Sequence, residues 1–100
     1  MQIVIAAGRL REGVTEEQLI AGSDAFEEGF VRHPPGVLRR ELIRDAEGRY
    51  ADIVVFRDAE SVETVMAAEQ DSEVCAAFFA LFDDQDQTMQ AFDLVKRYAR

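Results

Sequence analysis

The stretch PGVLRRELIRDAEGRYADIVVFRD, residues 35–58, decides the fold of this chain. A Pro-Gly break precedes its first half, and its second half is rich in Val, Ile and Phe, as strands are. Between the halves lies a short loop, residues 45–49, in which Gly48 can adopt the left-handed backbone conformation that closes a three-residue hairpin loop with a bulge. The stretch therefore predicts two antiparallel strands, followed by a helix that Asp58 caps.

The length of this loop fixes the predicted pairing of the two strands. It places Asp45 opposite Arg49, and counting outward brings Arg40 and Asp52 to one face of the hairpin, because side chains alternate between the faces of a sheet. In this register Leu42 opposes Asp52 and Arg40 opposes Val54. One face is predicted to carry Leu38, Arg40, Leu42, Tyr50, Asp52, Val54 and Phe56, and the other Val37, Ile43, Ile53 and Val55.

The rest of the chain predicts one strand and one helix before the hairpin. Residues 3–7 are an apolar run typical of a buried strand, and residues 9–14 read as a charged loop. Thr15 and Gln18 match a capping box, which predicts a helix start. The run from His33 to Gly36 ends that helix, since a residue before proline avoids the helical region.

A broken helix and a final element follow the hairpin. The helix that begins at Asp58 restarts at Asp71 and Ser72, and its second half is apolar nearly all round, which predicts burial on more than one side. Residues 83–87 read as a polar link. For residues 88–99 propensity favours a helix, whereas the alternation of Phe92, Leu94 and Tyr98 permits a strand, so both remain open.

This order predicts an α+β fold of the ferredoxin-like βαββαβ type, in a single domain over residues 1–100. In such a fold the helices cover one face of an antiparallel sheet. The chain has no further helix for the other face. A second copy would cover it and close a two-fold symmetric barrel, so we expect a homodimer.

Charge and cysteine content limit the partners and the location. Twenty acidic and 11 basic residues give a formal net charge of −9. Nucleic-acid and membrane-surface partners are therefore not expected, because both are anionic. No segment approaches the roughly 18 apolar residues of a membrane helix. Cys75 is the only cysteine, which suits a reducing compartment, and the cytoplasm is the expected location.

The hairpin and the small-residue helix after it resemble the antibiotic biosynthesis monooxygenase superfamily, whose members are dimeric α+β barrels. The residues that carry the resemblance are Pro35-Gly36-Val37, the return through Gly48, the strand from Tyr50 to Phe56, and Ser61. Oxygenases of this superfamily place an asparagine and a tryptophan four residues apart on the third strand. The matching positions here hold Asp52 and Phe56.

The resemblance implies a cofactor-independent monooxygenase that acts on a small organic molecule. Haem-degrading relatives hold iron with a histidine on the second helix, but the only histidine here is His33, before the prolines. One Cys and one His cannot build a usual zinc site either. We therefore expect no cofactor and no metal.

The predicted site is the polar pair on the hairpin. Asp52 would be the catalytic base and Arg40 would stabilise the resulting anion. The predicted walls of the ligand pocket are Phe56, Tyr50, Val54 and Leu42. A structural ion pair explains the same two charged residues, and a non-catalytic barrel that binds a small ligand or serves in assembly stays open as the alternative function.

Overall fold

The computed structural model describes all residues 1–100 and contains a four-stranded antiparallel sheet with its helices on one face. The strand order is β2-β3-β1-β4, and the succession of elements confirms the predicted βαββαβ fold. The elements are β1 (Gln2–Leu10), α1 (Glu16–Phe26), a π-helical turn (Glu27–Val31), β2 (Val37–Arg44), β3 (Tyr50–Phe56), α2 (Ala59–Glu69), α3 (Glu73–Phe79) and β4 (Phe82–Asp93).

The hairpin between β2 and β3 has the predicted register. Gly48 adopts a φ of +83°, and the amide of Asp45 donates a hydrogen bond of 2.9 Å to the carbonyl of Arg49. The Asp45 carboxylate also accepts the amide of Arg49 at 2.9 Å, which holds the loop closed. Arg40 opposes Val54, which confirms the strand register predicted from the length of the loop that contains Gly48.

The predicted faces are wrong at the start of β2, where a bulge interrupts the alternation. Val37 opposes Phe56 and Arg39 opposes Val55, so Leu38 is the extra residue between them. Val37 consequently packs against the core on the helix side, while the side chain of Leu38 is 50% exposed. A bulge places two residues against one on the neighbouring strand, which reverses the sides of the residues before it.

The helix starts follow the predicted caps. Thr15 and Gln18 form the reciprocal capping box of α1. Asp58 accepts the Ser61 amide at 2.8 Å at the start of α2, and the Ser72 hydroxyl caps α3. None of these helices has both the length and the apolar character that crossing a bilayer requires.

The final element is a strand, and it begins and ends six residues earlier than predicted. β4 begins at Phe82, which pairs with Leu10, and continues to Asp93, which pairs with Gln2. The predicted polar link over residues 83–87 and the helical alternative for the last segment are therefore wrong. An edge strand that is exposed along most of its length can be polar, so its side chains need not show the alternation that predicts a strand. Backbone pairing with β1 holds these residues in the strand conformation. Strand β1 runs from Gln2 to Leu10 and is longer than the predicted five residues, so the predicted charged loop over residues 9–14 is wrong at Arg9 and Leu10.

The two faces of the sheet have different environments. On the helix side, one apolar cluster is centred on Leu19, Phe26 and Phe78, and a smaller one consists of Val4, Phe56 and Val65. No helix lies on the opposite face, called the open face below. The register places Ile3, Ile5, Ile43, Ile53 and Phe92 there.

Candidate ligand site

Arg40 and Asp52 form a buried ion pair between the sheet and α1. The Nε of Arg40 donates to both carboxylate oxygens of Asp52, at 2.9 and 3.2 Å. Only 8% of the arginine side chain and 7% of the aspartate side chain are exposed. Burial raises the pKa of the Asp52 carboxyl, and the positive charge of Arg40 opposes that effect.

The remaining donors of Arg40 bind α1 and the π-helical turn. One terminal nitrogen donates to the hydroxyl of Ser23 at 2.8 Å, and the other donates to the Ser23 carbonyl at 3.3 Å and lies 3.5 Å from a carboxylate oxygen of Glu27. The guanidinium carbon also lies 4.8 Å from the ring centre of Phe26 and 5.3 Å from that of Phe78, within the range of cation–π attraction. Arg40 therefore fastens α1 to the sheet.

A cavity in two compartments lies beside this pair, between the sheet and the helices α2 and α3. The outer compartment has a volume of about 330 Å³, and a narrow inner compartment of about 40 Å³ adjoins it on the side of the smaller apolar cluster. Their walls are mostly apolar. The residues common to both compartments are Ala6, Asp52, Glu69, Phe79 and Met89.

Glu69 is a second carboxyl in this cavity, and the sequence analysis missed it. It lies at the end of α2, half-buried, and burial raises the pKa of its carboxyl to about 7, with the negative charge of Asp52 acting in the same direction. The helical spacing of Val62, Val65 and Met66 could have predicted that Glu69 faces the interior. Glu69 follows these residues at positions i+7, i+4 and i+3, on the same buried stripe.

The other predicted site residues are divided among different surfaces. Val54 and Phe56 line the inner compartment. Leu42 and Tyr50 line a separate groove against the first turn of α1, where the Tyr50 hydroxyl donates to Glu16 at 2.8 Å. Arg40 lines neither compartment, because its guanidinium is enclosed beneath α1.

The remaining candidates have ordinary structural settings. His33 is exposed, and its Nε2 lies 3.0 Å from the carbonyl of Glu28 near the end of the π-helical turn. Cys75 is a buried free thiol, and burial raises its pKa. No group of three or more His, Cys, Asp or Glu side chains is placed to hold a metal ion.

Comparison with known proteins identifies the fold. The sequence matches no protein-family profile and no curated protein. Its structure is similar to that of an antibiotic biosynthesis monooxygenase, with 22% identity, a TM-score of 0.66, and coverage of 96% of this chain and 100% of that one.

Two further structures have the same fold. A point mutant of SnoaB, a cofactor-independent oxygenase from Streptomyces nogalater, is 16% identical over 99% of this chain and 98% of that one, with a TM-score of 0.70. A mutant of MhuD with two manganese protoporphyrin IX bound per active site is 18% identical over the full length of both chains, also with a TM-score of 0.70.

The chain is therefore an α+β protein of the ferredoxin-like type with a cavity between sheet and helices. More specifically, it has the fold of the antibiotic biosynthesis monooxygenases, which confirms at the level of fold the resemblance seen in the hairpin.

Proposed function

We propose that this protein binds a small, largely apolar organic molecule in the two-compartment cavity and oxidises it as a cofactor-independent monooxygenase. The observation that carries the proposal is the cavity itself. Its outer compartment of about 330 Å³ lies within the range of small-molecule sites, roughly 300 to 1,000 Å³, and its apolar walls with a few polar groups are typical of them.

The polar groups of the cavity favour chemistry on a weakly acidic ligand. Asp52 and Glu69 can accept hydrogen bonds or a proton from a ligand. The ring of Phe79 can pack flat against an apolar ligand, and the flexible side chain of Met89 can adapt to its shape. Loss of a proton makes a phenol or enol electron-rich, and such an anion can react with O₂. In the oxidation of a phenol to a quinone, one atom of O₂ enters the ring and the other leaves as water.

The structural relatives support this reaction as an activity of the fold. SnoaB is a cofactor-independent oxygenase, and its structure aligns over 98% of its own length. The positions that the oxygenases fill with asparagine and tryptophan hold Asp52 and Phe56 here. Both residues line the inner compartment, so a ligand that reached it would meet a carboxylate and a phenyl ring instead of an amide and an indole.

Blocking the cavity tests the proposal. Ala6 lies between Asp52 and Met89 in the sheet register, on the floor of both compartments. Thermal-shift and calorimetric screening of quinols, small aromatic acids and haem should find ligands among the quinols. Ala6→Leu should weaken their binding at least tenfold, whereas Ala21→Leu, on the exposed side of α1, should not.

Product formation separates the enzyme from a simple binding protein. A bound quinol should be converted to a hydroxylated quinone that carries one atom of O₂, in air and not under nitrogen, faster with the protein than without it. Binding that Ala6→Leu leaves unchanged would place the ligand elsewhere and contradict the proposed site. Binding without oxygen uptake would favour the non-catalytic alternative.

We also propose that a second copy of the chain covers the open face of the sheet. Ile43 and Phe92 are 48% and 46% exposed there, close to half-buried Ile5 and Ile53, and burial of such a surface stabilises an association. Sedimentation should show a dimer of a chain of 11.3 kDa. Ile53→Asp should dissociate it, whereas Ile20→Asp on α1 should not, and a wild-type monomer at micromolar concentration would refute the dimer.

The remaining parts of the proposal concern location and partners. We propose a cytoplasmic protein, on the basis of its single buried thiol, Cys75. Its formal charge of −9 disfavours nucleic acid and anionic lipid as partners.

A further inference from the structure

Only two ionisable side chains line the cavity, and their environments differ. Asp52 and Glu69 each contact both compartments, and every other lining residue is uncharged. A proton acceptor for a bound ligand must therefore be one of these two. The sequence pointed to Asp52 alone.

The carboxylate of Asp52 already has a partner within the protein, Arg40. Both of its oxygens accept from the Nε of Arg40, and its side chain is 7% exposed. A ligand proton would have to compete with this guanidinium, whose charge favours the ionised form of the carboxyl. Asp52 is thus suited to hold Arg40 in place.

The carboxyl of Glu69 is free to bind a ligand. Its carboxyl has no hydrogen-bond donor or cation from the protein, and the influences on it are burial and the charge of Asp52. It lines both compartments and is half-buried, so a ligand in the outer compartment could reach it.

We propose that Glu69, rather than Asp52, is the catalytic residue that accepts the proton of the bound ligand. This inference rests on the proposed ligand site and deepens it. In the step, the O–H or acidic C–H bond of the ligand breaks, its electron pair stays on the ligand, and the proton moves to a carboxylate oxygen of Glu69. Asp52 acts as a positioning residue that also makes Glu69 more basic.

The groups around Glu69 agree with this role. From β3 it faces the negative charge of Asp52, and from α3 the thiol of Cys75, whose own pKa is raised further by Glu69. The parts of β1 and β4 that line the cavity carry no charge. A base with a pKa of about 7 is well matched to proton transfer at neutral pH, since both of its forms are present.

The same arrangement defines the ligand class. The cavity contains two carboxyls and no accessible cation, because Arg40 is enclosed. A carboxylate ligand would add a like charge next to Glu69, which is unfavourable at short range. The site should therefore take neutral molecules with one acidic O–H or C–H, such as phenols or enolisable ketones, and reject aromatic carboxylates.

The test compares Glu69→Gln with Glu63→Gln, an exposed position on the same helix. The first probe is 2-naphthol, which stays neutral between pH 5.5 and 8.5 as an ordinary phenol. Its affinity for the wild type should rise about tenfold or more across this range as Glu69 ionises, because a hydrogen bond to a charged acceptor is stronger than one to a neutral acceptor. The Gln variant at position 69 should show a flat profile, and the control should follow the wild type.

The second probe is 2-tetralone, whose acidic C–H hydrogens exchange with deuterated water when a base removes them. NMR should show exchange catalysed by the wild type and by Glu63→Gln, and a loss of about 100-fold in Glu69→Gln, as expected for removal of a general base. A folded Glu69→Gln variant that keeps the wild-type pH profile and exchange rate would overturn the role of Glu69 and leave the ligand site intact. Failure of the wild type to bind any quinol, phenol or ketone would instead overturn the ligand site.

Discussion

The charge state of Glu69 should make the stability of the protein depend on pH. Its carboxyl has a pKa of about 7 in the folded protein, compared with a usual value of 4.5. Between these values the folded state holds a proton that the unfolded chain has lost. The free energy of unfolding of the wild type should therefore fall as the pH rises from 4.5 to about 7, and this contribution should be constant above that.

The substitution Glu69→Gln removes this dependence. The shift of the pKa corresponds to about 3 kcal/mol for a fully shielded group. Because Glu69 is only half-buried, solvent screening reduces the effect to roughly 1–2 kcal/mol. At pH 8 the Gln variant should be more stable than the wild type by that amount, and the difference should vanish below about pH 4.5.

Chemical denaturation at a series of pH values measures this difference directly. Both proteins share every other titrating group, so subtracting one curve from the other isolates Glu69 together with its effect on Asp52 and Cys75. The protein concentration must be constant, since a dimer gains stability with concentration. In thermal unfolding, 1 kcal/mol corresponds to about 4–8 °C for a domain of this size.

The control is Glu63→Gln, which removes the same formal charge from the exposed side of α2. Its stability should differ from that of the wild type by less than about 0.5 kcal/mol at every pH. If Glu69→Gln behaves like this control between pH 5 and 9, Glu69 is not an unpaired carboxyl held next to Asp52, and the reasoning is refuted.

Three further substitutions test the fold around the site. Asp52→Ala leaves the guanidinium of Arg40 buried without its partner and should cost about 3–5 kcal/mol in urea denaturation, and a loss below about 1 kcal/mol would contradict a buried pair. Gly36→Ala places a Cβ atom against the side chain of Ser61 and should cost about 1–3 kcal/mol, part of which Ser61→Gly should restore; an unchanged stability would mean that the two segments lie further apart. Thr15→Ala removes the capping hydroxyl of α1 and should cost about 1 kcal/mol, measured as a lower midpoint of thermal unfolding, and an unchanged midpoint would rule out the cap.

The hairpin was predictable because its information is local. Gly48 allows one loop geometry, the loop fixes the register, and the register brings Arg40 and Asp52 together. The bulge at Leu38 was not predictable in the same way. Nothing in that part of the sequence marks the extra residue, and it depends on how β2 meets β3 near Gly36.

The cavity depended on contacts between distant parts of the chain. Asp52 and Glu69 lie on different elements, and the helical stripe that includes Glu69 does not indicate which strand it faces. Phe79 and Met89 reach the same cavity only because α3 turns directly into β4 at Phe82. Sequence alternation assigned Leu42 and Tyr50 to the right sheet face, but could not show that they line a separate groove against the first turn of α1.

The fastening of α1 by Arg40 has a consequence for ligand recognition. The guanidinium is held by the Asp52 carboxylate, the Ser23 hydroxyl and carbonyl and two aromatic faces, and all of these partners belong to the protein itself. The helix that packs over the sheet is therefore anchored before any ligand arrives. Phe26 of α1 forms part of the wall of the inner compartment. An incoming molecule need not order that wall, so more of its contact energy remains available as affinity.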